Sequence, residues 1–217
     1  MIVTRQKPPD EIIKILKGYN RIFLIGCGEC ATICKTGGEA ELKAVQALLI
    51  ASGKIVTGIS MPSAPCLASK VKAELARNTP VLKNSDAVLV LACGLGVQSV
   101  KENARLKRDI FPACDTLFGA VMDARGDFYE KCFACGECIL DTTAGICPVT
   151  LCPKGMLTGP CGGMNKGKCE VDTERDCAWV LIYRELEEKQ QLEKMRQIRK
   201  AKDHSKALRP HKLITQK

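Results

Sequence analysis

The chain has 217 residues, 46% hydrophobic and 26% charged, with 14 cysteines. This balance excludes a wholly disordered chain, and no apolar run approaches the roughly 18–20 residues of a membrane span. The net charge of +9 belongs to a tail: residues 189–217 carry 10 lysines and arginines against 2 acidic residues, while the rest of the chain carries 23 against 22.

The N-terminus, Met1-Ile2-Val3-Thr4-Arg5-Gln6, lacks the apolar core of a leader peptide. A cytoplasmic setting is expected, where thiols stay reduced, so metal sites explain the cysteines better than disulfides. Residues 10–18 predict a short helix closed by Gly18. Residues 21–26 form a continuous apolar run, the pattern of a strand buried on both faces. Thr36 and Glu39 have capping-box spacing, and Leu42, Val45 and Leu49 share a helical face. A helix over 37–52 follows, with Gly53 as its C-cap. Residues 54–59 predict a strand, 70–77 a helix and 87–92 a second buried strand.

This alternation predicts an α/β fold: a Rossmann- or flavodoxin-like parallel sheet over residues 1–128, with helices on its faces. In such sheets ligands gather beyond the carboxyl ends of the strands. Cys27, Cys66 and Cys93 each follow a predicted strand, and Cys114 lies in the next segment. Residues 129–177 are dense in Cys and Gly with little periodicity, which predicts an irregular Cys-rich domain ordered by metal centres. Residues 178–217 read as one long C-terminal helix, to about residue 202, and then a flexible basic arm. Trp179, Ile182 and Leu186 form a stripe suited to docking a partner protein, with the arm steering an acidic one. The arm has no Phe, Tyr or Trp for base stacking, so no nucleic-acid partner is expected.

The cysteines fall into two constellations. Cys27, Cys30 and Cys34 lie in one loop between a strand and a helix start, with Cys93 far along the chain. Three local thiolates and a remote fourth suit a [4Fe–4S] cluster, and zinc would fit the same residues. The second constellation opens with Cys132, Cys135 and Cys138, whose two-residue spacers wrap a cluster in ferredoxin-like loops. Cys147, Cys152, Cys161, Cys169 and Cys177 follow. Cys147 and Cys152 each precede a proline, as the remote fourth ligand of such a cluster does. The set predicts at least two [4Fe–4S] clusters and has cysteines enough for a third, with zinc an alternative at one C-terminal site. The only histidines, His204 and His211, lie in the tail, and no catalytic set or complete dinucleotide fingerprint is present.

These residues resemble a known family. Cys132-Phe133-Ala134-Cys135-Gly136-Glu137-Cys138, Gly145-Ile146-Cys147-Pro148, Cys152-Pro153-Lys154, Gly159-Pro160-Cys161-Gly162-Gly163, Gly167-Lys168-Cys169 and Cys177-Ala178-Trp179 look like the methylene-tetrahydrofolate reductase C-terminal domain family. Gly26-Cys27-Gly28-Glu29-Cys30 and Cys34 are similar to the free-standing small subunit found beside the flavin-containing reductase of acetogenic anaerobes. The resemblance covers roughly residues 10–190. It implies an iron–sulfur electron-transfer subunit of a methylenetetrahydrofolate reductase complex, not catalytic alone. FMN would sit on a separate catalytic subunit, which interconverts 5,10-methylene- and 5-methyltetrahydrofolate, and further redox subunits could join. The alternative is a non-redox, zinc-folded assembly subunit.

Overall fold

The computed structural model describes residues 1–104, 107–198 and 200–214 and divides into two compact units, Met1–Phe118 and Gly119–Lys217. The chain opens with β1 (Ile2–Gln6) and α1 (Pro9–Ile15), then β2 (Arg21–Ile25), the single turn α2 (Cys30–Ile33) and α3 (Glu39–Ala51). There follow β3 (Ile55–Ser60), α4 (Ala68–Arg77), α5 (Thr79–Lys83), β4 (Ala87–Val90), α6 (Gly94–Asn103) and β5 (Asp109–Pro112). Strands β3-β2-β4-β5 pair in that order, all parallel. This is the expected doubly wound sheet, and its order reverses direction between β2 and β4.

The apolar runs have a simple cause. Ile22, Leu24, Leu89 and Leu91 meet Ile12 and Leu16 together with Leu42, Val45 and Leu49 of α3 on one face. Phe23, Ile25, Val88 and Val90 meet Val71, Leu75, Leu82 and Val100 on the other. With both faces covered, positions 22–25 of β2 and 87–90 of β4 leave no place for a polar residue. Each such side chain contributes about 1.5–3 kcal/mol by its burial.

Helix α3 begins later than the Thr36–Glu39 spacing predicts. Its N-cap is Gly38, whose N–H donates to Glu41 Oε2 at 2.9 Å. Thr36 is instead buried, its hydroxyl 2.6 Å from that of Thr4. Gly37 between them serves the sheet. Its carbonyl accepts the Cys27 N–H at 2.9 Å, and a Cβ there would stand 2.0 Å from the Leu91 carbonyl oxygen. The C-terminus of α3 is as expected: Gly53 has φ +80°, and the Lys54 N–H reaches back to the Leu49 carbonyl at 2.9 Å.

Strand β6 (Cys114–Met122) begins in the first unit and ends in the second, where it pairs antiparallel with β7 (Phe128–Glu130) through Ala120↔Glu130, Val121↔Tyr129 and Met122↔Phe128. Strand β1 lies on the other side of β6.

The second unit also holds α7 (Pro148–Leu151), α8 (Ala178–Glu188), α9 (Glu193–Arg196) and a 3-10 turn (His204–Ala207). The single long helix expected to about residue 202 is thus broken. Gln190 adopts φ +53°; its N–H donates to the Glu187 carbonyl at 3.0 Å, and that of Gln191 to the Leu186 carbonyl at 2.7 Å. This is a Schellman stop made without glycine, so residue identity gave no warning of it. The stripe expected to dock a partner is buried within its own unit. Trp179, Ile182 and Leu186 pack with Ile146, Met156, Leu192 and Met195, and Trp179 Nε1 donates to the Met156 carbonyl at 2.9 Å. The arm expected to be flexible, residues 203–217, is held at Asp203 and Lys206, next to Lys202; residue 199 of the expected helix and residues 215–217 of the arm lie outside the described residues. Among the described residues no helix is long and apolar enough to cross a membrane.

Replacing Gly37 by alanine drives a methyl group into the Leu91 backbone, which no rotamer relieves. The Gly37→Ala chain is expected to lose about 1–3 kcal/mol of unfolding free energy, read from the midpoint of urea denaturation followed by circular dichroism.

Candidate metal centre

The first thiol group is built by the reversal of the sheet. Cys27 directly follows the β2 turn and Cys93 follows β4, the strand paired with β2, so the two flank the crevice where strand order changes. Cys93 is also the N-cap of α6, at the end of the helix dipole that favours negative charge. Cys30 and Cys34 open and close the single turn α2. A spacing of four residues puts both on one side of it.

The N-terminal strand lies against this pair. The Ile2 N–H donates to Cys30 Sγ at 3.5 Å, and the Cys34 thiol donates to the Ile2 carbonyl at 3.8 Å. Burial pushes the Cys27 thiol above its ordinary pKa. The backbone at Ala31 and Glu29 pulls the other way by hydrogen bonding, and Cys30 and Cys93 raise it further as neighbouring charges. Mutual repulsion of this kind is what a bound cation relieves.

Cys114, which sequence spacing left without a role, stands in the same group. It is buried, its thiol donates to the Thr36 carbonyl at 3.4 Å, and it interacts electrostatically with Cys34 and Cys93. Its signal in the sequence was only its place after the last parallel strand. Cys66 is exposed, on the loop between β3 and α4. That loop approaches the crevice: the Gly28 N–H donates to the Pro62 carbonyl at 3.0 Å, and a Cβ on Gly96 would meet Pro65 at 3.1 Å.

The second group is strung along turns of the second unit. Left-handed Ala134 (φ +53°) and Gly136 (φ +77°) curl the backbone between Cys132, Cys135 and Cys138, and the Ala134 N–H donates to Cys132 Sγ at 3.4 Å. Burial raises the Cys135 thiol, but hydrogen bonding at the Glu137 backbone and the Lys202 ammonium outweigh it, leaving its pKa below the ordinary value. Cys147 and Cys152 bracket α7, and the Thr150 hydroxyl donates to Cys147 Sγ at 3.6 Å. Cys161 lies 3.5 Å from Glu170 Oε1, a carboxylate also paired with Lys154. Cys169 and Cys177 are tied by backbone bonds to Arg175 and Gly167, and Cys177 is the buried N-cap of α8.

Among the described residues no three Cys, His, Asp or Glu side chains are grouped closely enough to hold a single metal ion. The donor chemistry nonetheless fits a thiolate-bound centre. The ligands offered at the crevice are all sulfur: Cys27 comes from the loop after β2, Cys30 and Cys34 from α2 and Cys93 from the N-cap of α6, and backbone N–H groups point at Cys27 and Cys30.

Residues 111–205 match the family model described as methylene-tetrahydrofolate reductase C terminal. The match covers all eight cysteines from Cys132 to Cys177, starts later than the resemblance read from the sequence and extends further toward the C-terminus. Of the crevice group, Cys27, Cys30, Cys34 and Cys93 lie outside it and Cys114 lies within it. No curated protein and no solved structure matches the chain.

Cys114 also gives the first unit a pH dependence. Burial, opposed by the hydrogen bond with Thr36 and reinforced by Asp115, Cys34 and Cys93, pushes its thiol from 9.0 to about 12. The unfolded chain then loses this proton before the folded chain does, so the contribution to stability is present below pH 9.0 and is lost as pH rises toward about 12. In denaturation series across that window, Cys114→Ala is expected to show a shallower alkaline decline than the parent chain.

Proposed function

We propose that this chain is the iron–sulfur electron-transfer subunit of a methylenetetrahydrofolate reductase complex, exchanging electrons with FMN on a separate catalytic subunit. The observation that carries the redox reading is the crevice. Cys27, Cys30, Cys34 and Cys93 are brought to the point in a doubly wound sheet where ligands bind, and the tie to the reductase rests on the match over residues 111–205. Those four would hold one [4Fe–4S] cluster. Cys132, Cys135 and Cys138 would hold a second, with its fourth ligand from Cys147, Cys152, Cys161, Cys169 or Cys177, and the rest of that set would serve a third centre or zinc. Such clusters accept and release single electrons, which zinc cannot do.

The chain's own residues hold and insulate. The Ile2, Ala31 and Glu29 backbones offer hydrogen bonds to the crevice sulfurs, and the β2 and β4 cores keep water from one side. Neither histidine stands near the crevice cysteines in sequence, and the chain offers no evident base for substrate chemistry.

Anaerobically purified protein is expected to contain iron and acid-labile sulfide. Cys27→Ser and Cys93→Ser should each remove about four irons per chain, the content of one cube. Stoichiometric zinc with negligible iron and sulfide would overturn the electron-transfer reading and favour the zinc-folded assembly subunit. The isolated chain is expected to carry no flavin and to show no turnover of methylenetetrahydrofolate with a reduced dye.

A further inference from the structure

We propose that residues 202–206 are an electrostatic latch on the 132–138 loop, and that Lys202 and Lys206 are positioning residues for the centre this loop holds. The charge part of the proposal rests on the function proposed above; the latch itself does not.

Three groups of the arm converge on one residue between Cys135 and Cys138. Lys202 Nζ donates to the Glu137 carbonyl at 2.6 Å, the Asp203 N–H donates to Glu137 Oε2 at 2.8 Å, and Lys206 Nζ stands 3.7 Å from Glu137 Oε1. The backbones touch as well. A Cβ on Gly136 would lie 2.5 Å from the Lys206 carbonyl oxygen, so only glycine, already at φ +77°, admits the arm. The arm is ordered where it makes these contacts. Asp203 caps the 3-10 turn by accepting the Ser205 N–H at 3.0 Å and the Ser205 hydroxyl at 2.6 Å.

The reason for such a latch is charge. Residues 132–138 contain three cysteines, one glutamate and no lysine or arginine. Loaded with thiolates, the loop gathers negative charge that its own residues cannot offset. The arm brings ammonium groups from 65 or more positions away in the chain and anchors them through Glu137. A fixed positive charge beside an anionic centre favours its more negative, reduced form and so raises its midpoint potential. A mobile tail would be screened and could not hold that bias.

The test uses the full chain, a chain truncated after Ala201, Glu137→Ala and Lys202→Met. Hydrogen–deuterium exchange of peptides covering 132–138 is expected to quicken about tenfold in the truncated chain and in Glu137→Ala, with β4 peptides unchanged. Glu137→Ala keeps the experiment decisive should the truncated chain not fold. Unaltered exchange in the loop would overturn the latch. In Lys202→Met the loop centre should be reduced at a lower potential than in the parent, a difference that shrinks in high salt. An unchanged potential would overturn the positioning role. Should no variant, nor the parent, hold a reducible centre, the proposed function fails while the exchange data still decide the latch.

Discussion

The parallel pairing of β2 with β4 is the constraint on which the first unit depends. It places Ile22 to Ile25 against Ala87 to Val90 in register, each strand sealed on both faces by helices. Because the strands run the same way, their carboxyl ends lie side by side, and the residues that follow them become neighbours. Cys27 and Cys93 are 66 positions apart in sequence and neighbours in space for that reason. The fit is tight: Gly37 passes the Leu91 backbone with no room for a methyl group, and the same Gly37 carbonyl anchors the Cys27 N–H. Positioning the thiols and packing the sheet are therefore one piece of geometry.

The second unit is ordered on a different principle. Its buried cluster is small, centred on Trp179, Ile182 and Leu186 with a few partly buried neighbours. Between residues 132 and 177 the backbone is mostly turns, with positive φ at Ala134, Gly136, Ala144, Gly145, Gly155, Gly159, Gly162, Lys166 and Gly167. Such a segment gains little from apolar burial and loses conformational entropy in every turn. Bound metal is the usual means of closing that gap, because binding energy at a site absent from the unfolded chain becomes folding energy. Fixing α8 to the Met156 carbonyl and the arm to Glu137 ties the two ends of this segment down.

Opposing forces set the character of individual thiols. Burial raises Cys27 and Cys114, the second much further. Around Cys135 the backbone and a lysine reverse the sign. Cys114 shares this burial with Cys27, while Cys27 and Cys30 are offered backbone hydrogen bonds and Cys93 a helix terminus.

Much was written in local sequence. The 21–26 and 87–92 runs announced doubly covered strands, Gly53 marked the end of α3, and the two-residue spacers marked the 132–138 loop, because each depends on side-chain type over a few residues. Short elements such as β1 and α5 carried too little periodicity to declare themselves. Tertiary structure alone decided the rest. Thr36 gave up its capping role because Gly37 was needed at the sheet, and Cys114 joined the crevice because β6 starts beside it. A long apolar stripe looks alike whether it awaits a partner or is already buried; only packing against Met156 and Ile146 shows that it is buried. Helix α8 stopped at Glu188 through a left-handed glutamine, which composition does not flag. The basic arm, a run of charge in the sequence, acquired a place only through Glu137, and contacts across 65 residues leave no mark on the residues between.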